Sequence, residues 1–385
     1  MRKLFITVCD LDEISYLPKG VETELFGAPL YEHAYRKIKD AANKLDLDVE
    51  FVRAATFPVK GATNELNPDL KDIVAVVSPF VFLAHAKCVE DALGFVTKND
   101  FAYATVGNMR GLFAVIGLGE MLSGSAIGSC ADFIHHIDES GAVYKHVDLA
   151  DGEKAVPVSR IEYFKKIEPY RNELLDYLIM SGVNIECRDG VIIAPNTEIR
   201  RGTKILQGTT IGAWSMIFEN CTVGPNAYIC ESKIHDNCIV GSSRVTQSDI
   251  EKDVVVGSFC DISRESHILS GSKIHNYVEL NNVKVGLNSQ IQSNTYIQDA
   301  ELGARVNIGT NVTTVNHTEE ERKCKIGDDV IVGSGSCLVA PLNVGTNALI
   351  AAGSVITDDV PANALAIARE FQENKDGWAK KRKRF

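Results

Sequence analysis

Residues 191–229 read VIIAPNTEIRRGTKILQGTTIGAWSMIFENCTVGPNAYI, and an aliphatic side chain returns in them at every sixth position: Ile193, Ile199, Ile205, Ile211, Ile217, Val223 and Ile229. The same phase recurs at Ile326, Val332, Leu338, Val344, Ile350 and Ile356. Between the two runs it continues through Ile234, Val240, Val245, Ile250, Val256, Ile262, Ile268, Ile274, Leu280, Val285, Ile291, Ile297, Leu302 and Ile308, with a few steps of five that read as trimmed corners. A fixed period marks a repeat architecture. One inward aliphatic residue and one small or polar turn per hexad describe a side of a three-sided parallel β-helix, about three hexads to the coil. A β-sandwich would instead place turns about every 8 to 12 residues, with no six-residue phase.

Glycine often follows the aliphatic residue, as in Val256-Gly257, Val285-Gly286, Leu302-Gly303 and Val332-Gly333. A tight corner that needs a residue without Cβ is the expected reason. The phase breaks once, at Asn316-His317-Thr318-Glu319-Glu320-Glu321-Arg322-Lys323. A coil interior cannot accept that charge, so a loop is expected to leave the stack there, and loops on rigid scaffolds are where function concentrates.

Residues 1–185 follow another pattern. Leu4–Val8, Val49–Val52, Ile73–Val77 and Phe101–Val106 are short apolar runs suited to buried parallel strands, and Tyr31–Leu45, Ala84–Thr97 and Ile161–Met180 carry helical spacing. Alternating strands and helices indicate an α/β layer, with Gly182 placed to cap the last helix. The expected organisation is an α/β domain over 1–185, the repeat over 186–360, and a C-terminal extension over 361–385. Its Lys380–Arg384 run reads as a solvated terminus, with phosphate contact as the alternative.

At 385 residues the chain is long enough for two domains, and its net charge of −11 argues against a nucleic-acid surface. Met1–Cys9 imitates a signal peptide, but the apolar run stops at Asp10 with no cleavage site. No run approaches the roughly 20 apolar residues of a membrane span. Ten cysteines without a CxxC pair, several of them within hexads (Cys230, Cys238, Cys260, Cys337), suggest small buried thiols in a reducing cytoplasm. His135-His136 suggests packing, and His235, His267 and His275 fall on coil faces without metal-ligand spacing, so no metal site is expected.

An α/β domain joined by a helix to a hexapeptide β-helix resembles the bifunctional UDP-N-acetylglucosamine pyrophosphorylase and glucosamine-1-phosphate acetyltransferase family. The resemblance is carried by Asp299-Ala300-Glu301-Leu302-Gly303, Val306-Asn307-Ile308-Gly309, Ile326-Gly327-Asp328-Asp329-Val330, Val339-Ala340-Pro341, Ile350-Ala351-Ala352-Gly353-Ser354, Asn363–Arg369 and Asn374–Trp378. It implies a nucleotidyltransferase-like first domain and a left-handed, homotrimeric β-helix, with acetyl-CoA and a sugar phosphate meeting between subunits. By position it implies acetyl-CoA contacts at Ser334, Ala352, Arg369 and Lys375, where two cations suit the CoA phosphates and small residues admit the pantetheine arm. Tyr296, Asn307 and Asn316 match polar positions of the sugar and acetyl site.

The departures from that family are specific. Its catalytic histidine corresponds to Ser293, its sugar-phosphate arginine to Ser263 with Arg264 next door, and its phosphate lysine to Asn281. In the first domain Leu17-Pro18-Lys19 and Gly27-Ala28-Pro29 resemble nucleotidyltransferase pieces. The glycine-rich phosphate loop is replaced by Val8-Cys9-Asp10-Leu11-Asp12, and the metal ligands align with Pro79 and Val158. Without a metal ion to neutralise phosphate charge, pyrophosphorylase chemistry is not expected. Thr313-Thr314-Val315-Asn316-His317-Thr318, with Arg322 beyond, resembles instead the histidine loop of hexapeptide sugar O-acetyltransferases. That likeness implies His317 as a base, its ordinary pKa being suited to the role; the alternative places His317 on a solvated loop.

The reading is an acyl-CoA-dependent, acetyl-transferring enzyme acting on a sugar, sugar phosphate or nucleotide sugar. The alternative is a non-catalytic homologue that binds a nucleotide sugar or serves as a scaffold.

Overall fold

The computed structural model describes residues 3–10, 24–26, 28–56, 73–77, 86–99, 102–106, 112–116, 139, 141–147, 160–316, 323–376 and 378. They divide into two compact units. The first takes in the chain up to Ser181 with Ile192–Thr197 and Ile211–Trp214; the second holds Gly182–Val191, Glu198–Thr210 and Ser215 onward.

The first unit is an α/β layer. Its strands are β1 (Lys3–Asp10), β2 (Glu24–Leu25), β3 (Ala28–Pro29), β4 (Asp48–Thr56), β5 (Ile73–Val77), β6 (Ala102–Val106), β7 (Leu112–Ile116) and β8 (Val143–Val147). Its helices are α1 (Leu30–Lys44), α2 (Ala86–Thr97) and α3 (Arg160–Met180). Six strands form one sheet in the order β4-β1-β5-β7-β6-β8. The apolar runs expected as strands are strands. The sheet is not wholly parallel, however, because β7 runs antiparallel to both β5 and β6. Neither β7 nor β8 was among the runs singled out in the sequence. The apolar sides of α1 and α2 supply Ala34, Ile38, Val89, Leu93 and Val96 to a core shared with Leu4, Ile73, Ala75 and Ala104.

A buried polar link ties α1 to α3. His33 Nε2 lies 2.7 Å from the Leu25 carbonyl oxygen, to which it donates, and Nδ1 accepts from Tyr170 O–H at 2.9 Å. Burial holds the imidazole down to about 4, and pushes the Tyr170 hydroxyl up.

The second unit is a left-handed parallel β-helix of hexapeptide repeats. Its first face is a sheet of ten strands of two residues, from Lys204–Ile205 through Thr222–Val223 to Leu365–Ala366, and a 17-stranded sheet wraps the other two faces. Each two-residue strand of the first face turns one residue inward, so Ile205, Val223, Val240, Ile291 and Ile308 are buried while their neighbours point outward. The trimmed corners are real. Glu279–Val285 and Tyr296–Leu302 run unbroken from the second face to the third, where the inward residues Leu280 and Val285, or Ile297 and Leu302, stand five apart.

Gly224, after Val223, has the positive φ expected of a corner, but most glycines after the aliphatic residues have a different cause. Gly241, Gly309 and Gly327 do not occupy the left-handed region; a Cβ on Gly309 would come within 2.6 Å of the Ser334 amide nitrogen in the next coil, and one on Gly327 within 2.7 Å of Thr346 N. Close stacking, not a turn, excludes the side chain there. Positive φ falls two residues later, on Asn288, Asn311 and Asn347 among others, because asparagine tolerates that conformation.

The corners are closed by small polar side chains. Ser289 Oγ accepts from Val306 N–H at 3.0 Å and donates to the Gly303 carbonyl at 2.9 Å, and Ser272 does the same one coil earlier. Cys238 and Cys260 are buried and donate to Glu251 and His275 carbonyls at 2.9 Å. Cys230 and Cys337 correct the expectation of burial, since both are half-buried at outward positions of the second face.

Candidate functional site

The corner between the first and second faces brings three of the expected residues, Ser334, Ala352 and Arg369, into line with Ser293. Asn311 N–H donates to Ser293 O at 3.1 Å, Gly335 N–H to Thr310 O at 2.9 Å, and Gly353 N–H to Ser334 O at 2.9 Å. Ser293, Thr310, Ser334 and Ala352 therefore occupy the same corner in four successive coils. Arg369 closes the row, its Nη1 donating to the Ala352 carbonyl at 3.0 Å. Three spacings of about 4.8 Å separate Ser293 from Ala352, so the row spans about 14 Å. Small side chains and the bare Gly335 and Gly353, where an added Cβ would meet nothing, leave it open to solvent.

Lys375 is not part of this row. It is exposed and lies 3.8 Å from the Glu373 carboxylate. Ser334 Oγ accepts from Thr310 N–H at 3.1 Å, which fixes the corner it stands on.

Tyr296 lies three residues past Ser293 on the second face, half-buried, with its O–H donated to Gln298 Oε1. Loss of hydration and the Glu279 and Asp299 carboxylates push its hydroxyl up, against a smaller opposing pull from Arg264. Along this face Asp261, Glu279, Tyr296 and Thr313 stand in register, and beside them Ser263, Asn281 and Gln298. Asn316 follows the last residue of Thr313–Val315 and is half-buried. Asn307 is exposed on the first face, across the corner from Tyr296.

The coil resumes at Cys324, so residues 316–323 stand between two strands that pair with the same neighbour, Tyr296–Leu302. His317 and Arg322 lie outside the described residues, as do Leu17–Lys19, Pro79, His135, His136, Val158 and Lys380–Arg384. His235 stacks on Phe218 at 4.7 Å and sits 3.0 Å from Asp249, and His267 is 3.2 Å from Glu251, which accounts for both as surface contacts. Among the described residues no group of three His, Cys, Asp or Glu gathers to hold a metal, and no helix is long and apolar enough to cross a membrane.

No protein-family model matches the chain. Curated relatives do. A Bifunctional protein GlmU from Caldicellulosiruptor saccharolyticus is 36% identical over 256 residues, 66% of this chain and 55% of that protein. One from Fervidobacterium nodosum is 35% identical over 278 residues, 71% and 60% of the two chains. One from Thermoanaerobacter pseudethanolicus is 40% identical over 225 residues, 58% and 49%. The chain is a homologue of the bifunctional GlmU proteins. The chain spans about half the length of the relatives it matches. Among solved structures, LpxA from Acinetobacter baumannii matches 46% of this chain and 71% of its own at 22% identity and a TM-score of 0.29. An Arabidopsis UDP-N-acetylglucosamine acyltransferase matches 46% and 70% at 15% identity and a TM-score of 0.32. Likenesses of that size carry no part of the reading that follows.

Two features, one on the second face and one on the corner before it, gave no signal as single residues. Asp261 and Glu279 lie 18 positions apart, one coil of three hexads, and only that spacing puts their carboxylates side by side. The aromatic residues Phe259 and Tyr277 share the same spacing.

Proposed function

We propose that this chain transfers an acyl group, acetyl in the first instance, from acyl-CoA to a sugar, sugar phosphate or nucleotide sugar. The observation that supports it best is the open row Ser293–Thr310–Ser334–Ala352–Arg369. Its upper end offers a guanidinium to the CoA phosphates, its middle has no bulky side chain to obstruct an extended pantetheine arm, and its lower end reaches the position of the family's base. Tyr296 and Asn316 flank that lower end on one face and Asn307 on the other. A seam between copies in a homotrimer would bring such separated flanks together, and Lys375 would join the cofactor there.

Ser293 cannot take a proton from an incoming nucleophile at neutral pH. His317, which follows Asn316 in the sequence, would take it, with Arg322 contacting the acceptor. The first unit in this reading has no pyrophosphorylase activity. Ser293 in place of the family's histidine favours the competing idea of a non-catalytic homologue, and one experiment separates the two. Acetyl-CoA is titrated into the full chain, and thiol release is then followed against a panel of sugars. Saturable binding and turnover, with His317→Ala lowering kcat by about a hundredfold or more, is the expected result. Binding without turnover supports the non-catalytic homologue, and full turnover by His317→Ala removes the assigned base.

A further inference from the structure

Below Ser293 the same corner carries two aromatic side chains, Phe259 and Tyr277. Hydrogen bonds between corners place them, with Phe259 N–H donating to Ser242 O and Tyr277 N–H to Ser258 O. They are 63% and 58% exposed, and their rings stack with centroids 5.1 Å apart and planes 15° from parallel. Both have left-handed backbone, at φ of 60° and 58°. Bulky side chains avoid that conformation, and strained positions of this kind gather at functional sites. Other coils fill the position with Asn226, Asn294, Asn311, Gly335 or Gly353. The corner thus folds without aromatic residues, and packing within the coil does not account for two rings that face solvent.

The face that begins two residues further on has a definite charge. Asp261 and Glu279 are neighbours in register, an arrangement of like charges that weakens a sheet. Asp299, which with Glu279 acts on Tyr296, accepts from Asn282 Nδ2 at 2.7 Å. Against these three stand Arg244, already 3.4 Å from Asp261, and the exposed Arg264. A phosphate would meet more negative charge than positive on this face, whereas hydroxyl and amine groups find acceptors in its carboxylates and amides.

A sugar ring presents a flat face of C–H groups and a rim of hydroxyls. An aromatic platform edged by carboxylates matches both. We infer that the acceptor is an unphosphorylated sugar whose ring lies on the Phe259–Tyr277 pair, with Asp261 and Glu279 accepting hydrogen bonds from its hydroxyl or amine groups. The inference rests on the acyltransferase reading of the corner. The two coils from Phe259 to Ser293 give the acceptor about 10 Å of corner, leaving its reactive end at the tip of the acyl chain.

The test uses the full chain. Saturation-transfer NMR and competition measure binding of glucosamine, methyl glucoside and glucosamine 1-phosphate without cofactor, beside a separate calorimetric titration of acetyl-CoA. Asparagine is native to this corner, so the double variant Phe259→Asn/Tyr277→Asn keeps the fold and its unfolding midpoint does not fall. The expected result is that at least one unphosphorylated sugar binds at least tenfold tighter than the 1-phosphate. The double variant then weakens that sugar at least tenfold and leaves acetyl-CoA affinity in place. Preference for the phosphate, absence of sugar binding to the wild type, or unchanged sugar binding by the variant overturns the inference. Dissociation of an oligomer by the double variant overturns it too, because the pair would then be a seam between copies. Failure of acetyl-CoA to bind is a separate result that refutes the corner reading, since the sugar measurement is made without it.

Discussion

A methyl group on Gly327 would lie 2.7 Å from Thr346 N and 3.0 Å from its Cα, both backbone atoms of the next coil. Gly327→Ala therefore has to separate two coils, and a loss of about 1–3 kcal/mol in urea unfolding is expected. Gly353 is the opposite case, at φ 72° with open space where its Cβ would be. Gly353→Asn puts there the residue that Asn294 and Asn311 supply at the same corner, and its stability should stay within about 0.5 kcal/mol of wild type. The two positions look alike in the sequence, each a glycine within a hexad. What separates them is whether the missing Cβ relieves a steric clash between coils or a backbone torsion, and a one-dimensional pattern does not record that difference.

Between elements, the link from α1 to α3 has a calculable pH dependence. His33 ordinarily titrates near 6.5 and is held to about 4 in the folded chain, so folding keeps it neutral while the unfolded chain takes up a proton first. Its contribution is complete above pH 6.5, is lost as pH falls, and levels off below about 4. A loss of about 2 kcal/mol between pH 7 and 5 follows from that window. His33→Gln removes this slope, so the difference between wild-type and variant urea midpoints across pH isolates it. A pH-independent difference would mean that the histidine is not buried neutral. This link gave no sequence signal, because His33 and Tyr170 stand 137 positions apart. The hexads were legible for the converse reason: each face of each coil needs one inward aliphatic residue, and the requirement repeats locally. Ile262→Ala, deep in the stack, should accordingly cost about 2–5 kcal/mol. In the α/β unit the antiparallel pairing of β7 was not legible, because a five-residue apolar run looks the same whichever way it pairs.

For the molecule as a whole, the repeat sets a ruler on which residues 16 to 18 apart become neighbours, or 24 apart where residues 316–323 intervene, and the candidate site is written along that ruler. The resemblance placed Ser334, Ala352 and Arg369 by position, and the corner places them in one row. It gave no hint of the aromatic pair or of the carboxylates, which become a surface only when coils are stacked. On the proposed reading the row, open on one flank to Tyr296 and on the other to Asn307, would be completed by a second copy of the chain. The most direct test of the central claim is a calorimetric titration of acetyl-CoA into the full chain and into Ala352→Trp, which fills the row at an exposed position. Saturable binding by the wild type, reduced at least tenfold by Ala352→Trp at unchanged unfolding midpoint, is the expected result. An absence of binding, or equal binding by the two proteins, would contradict the account.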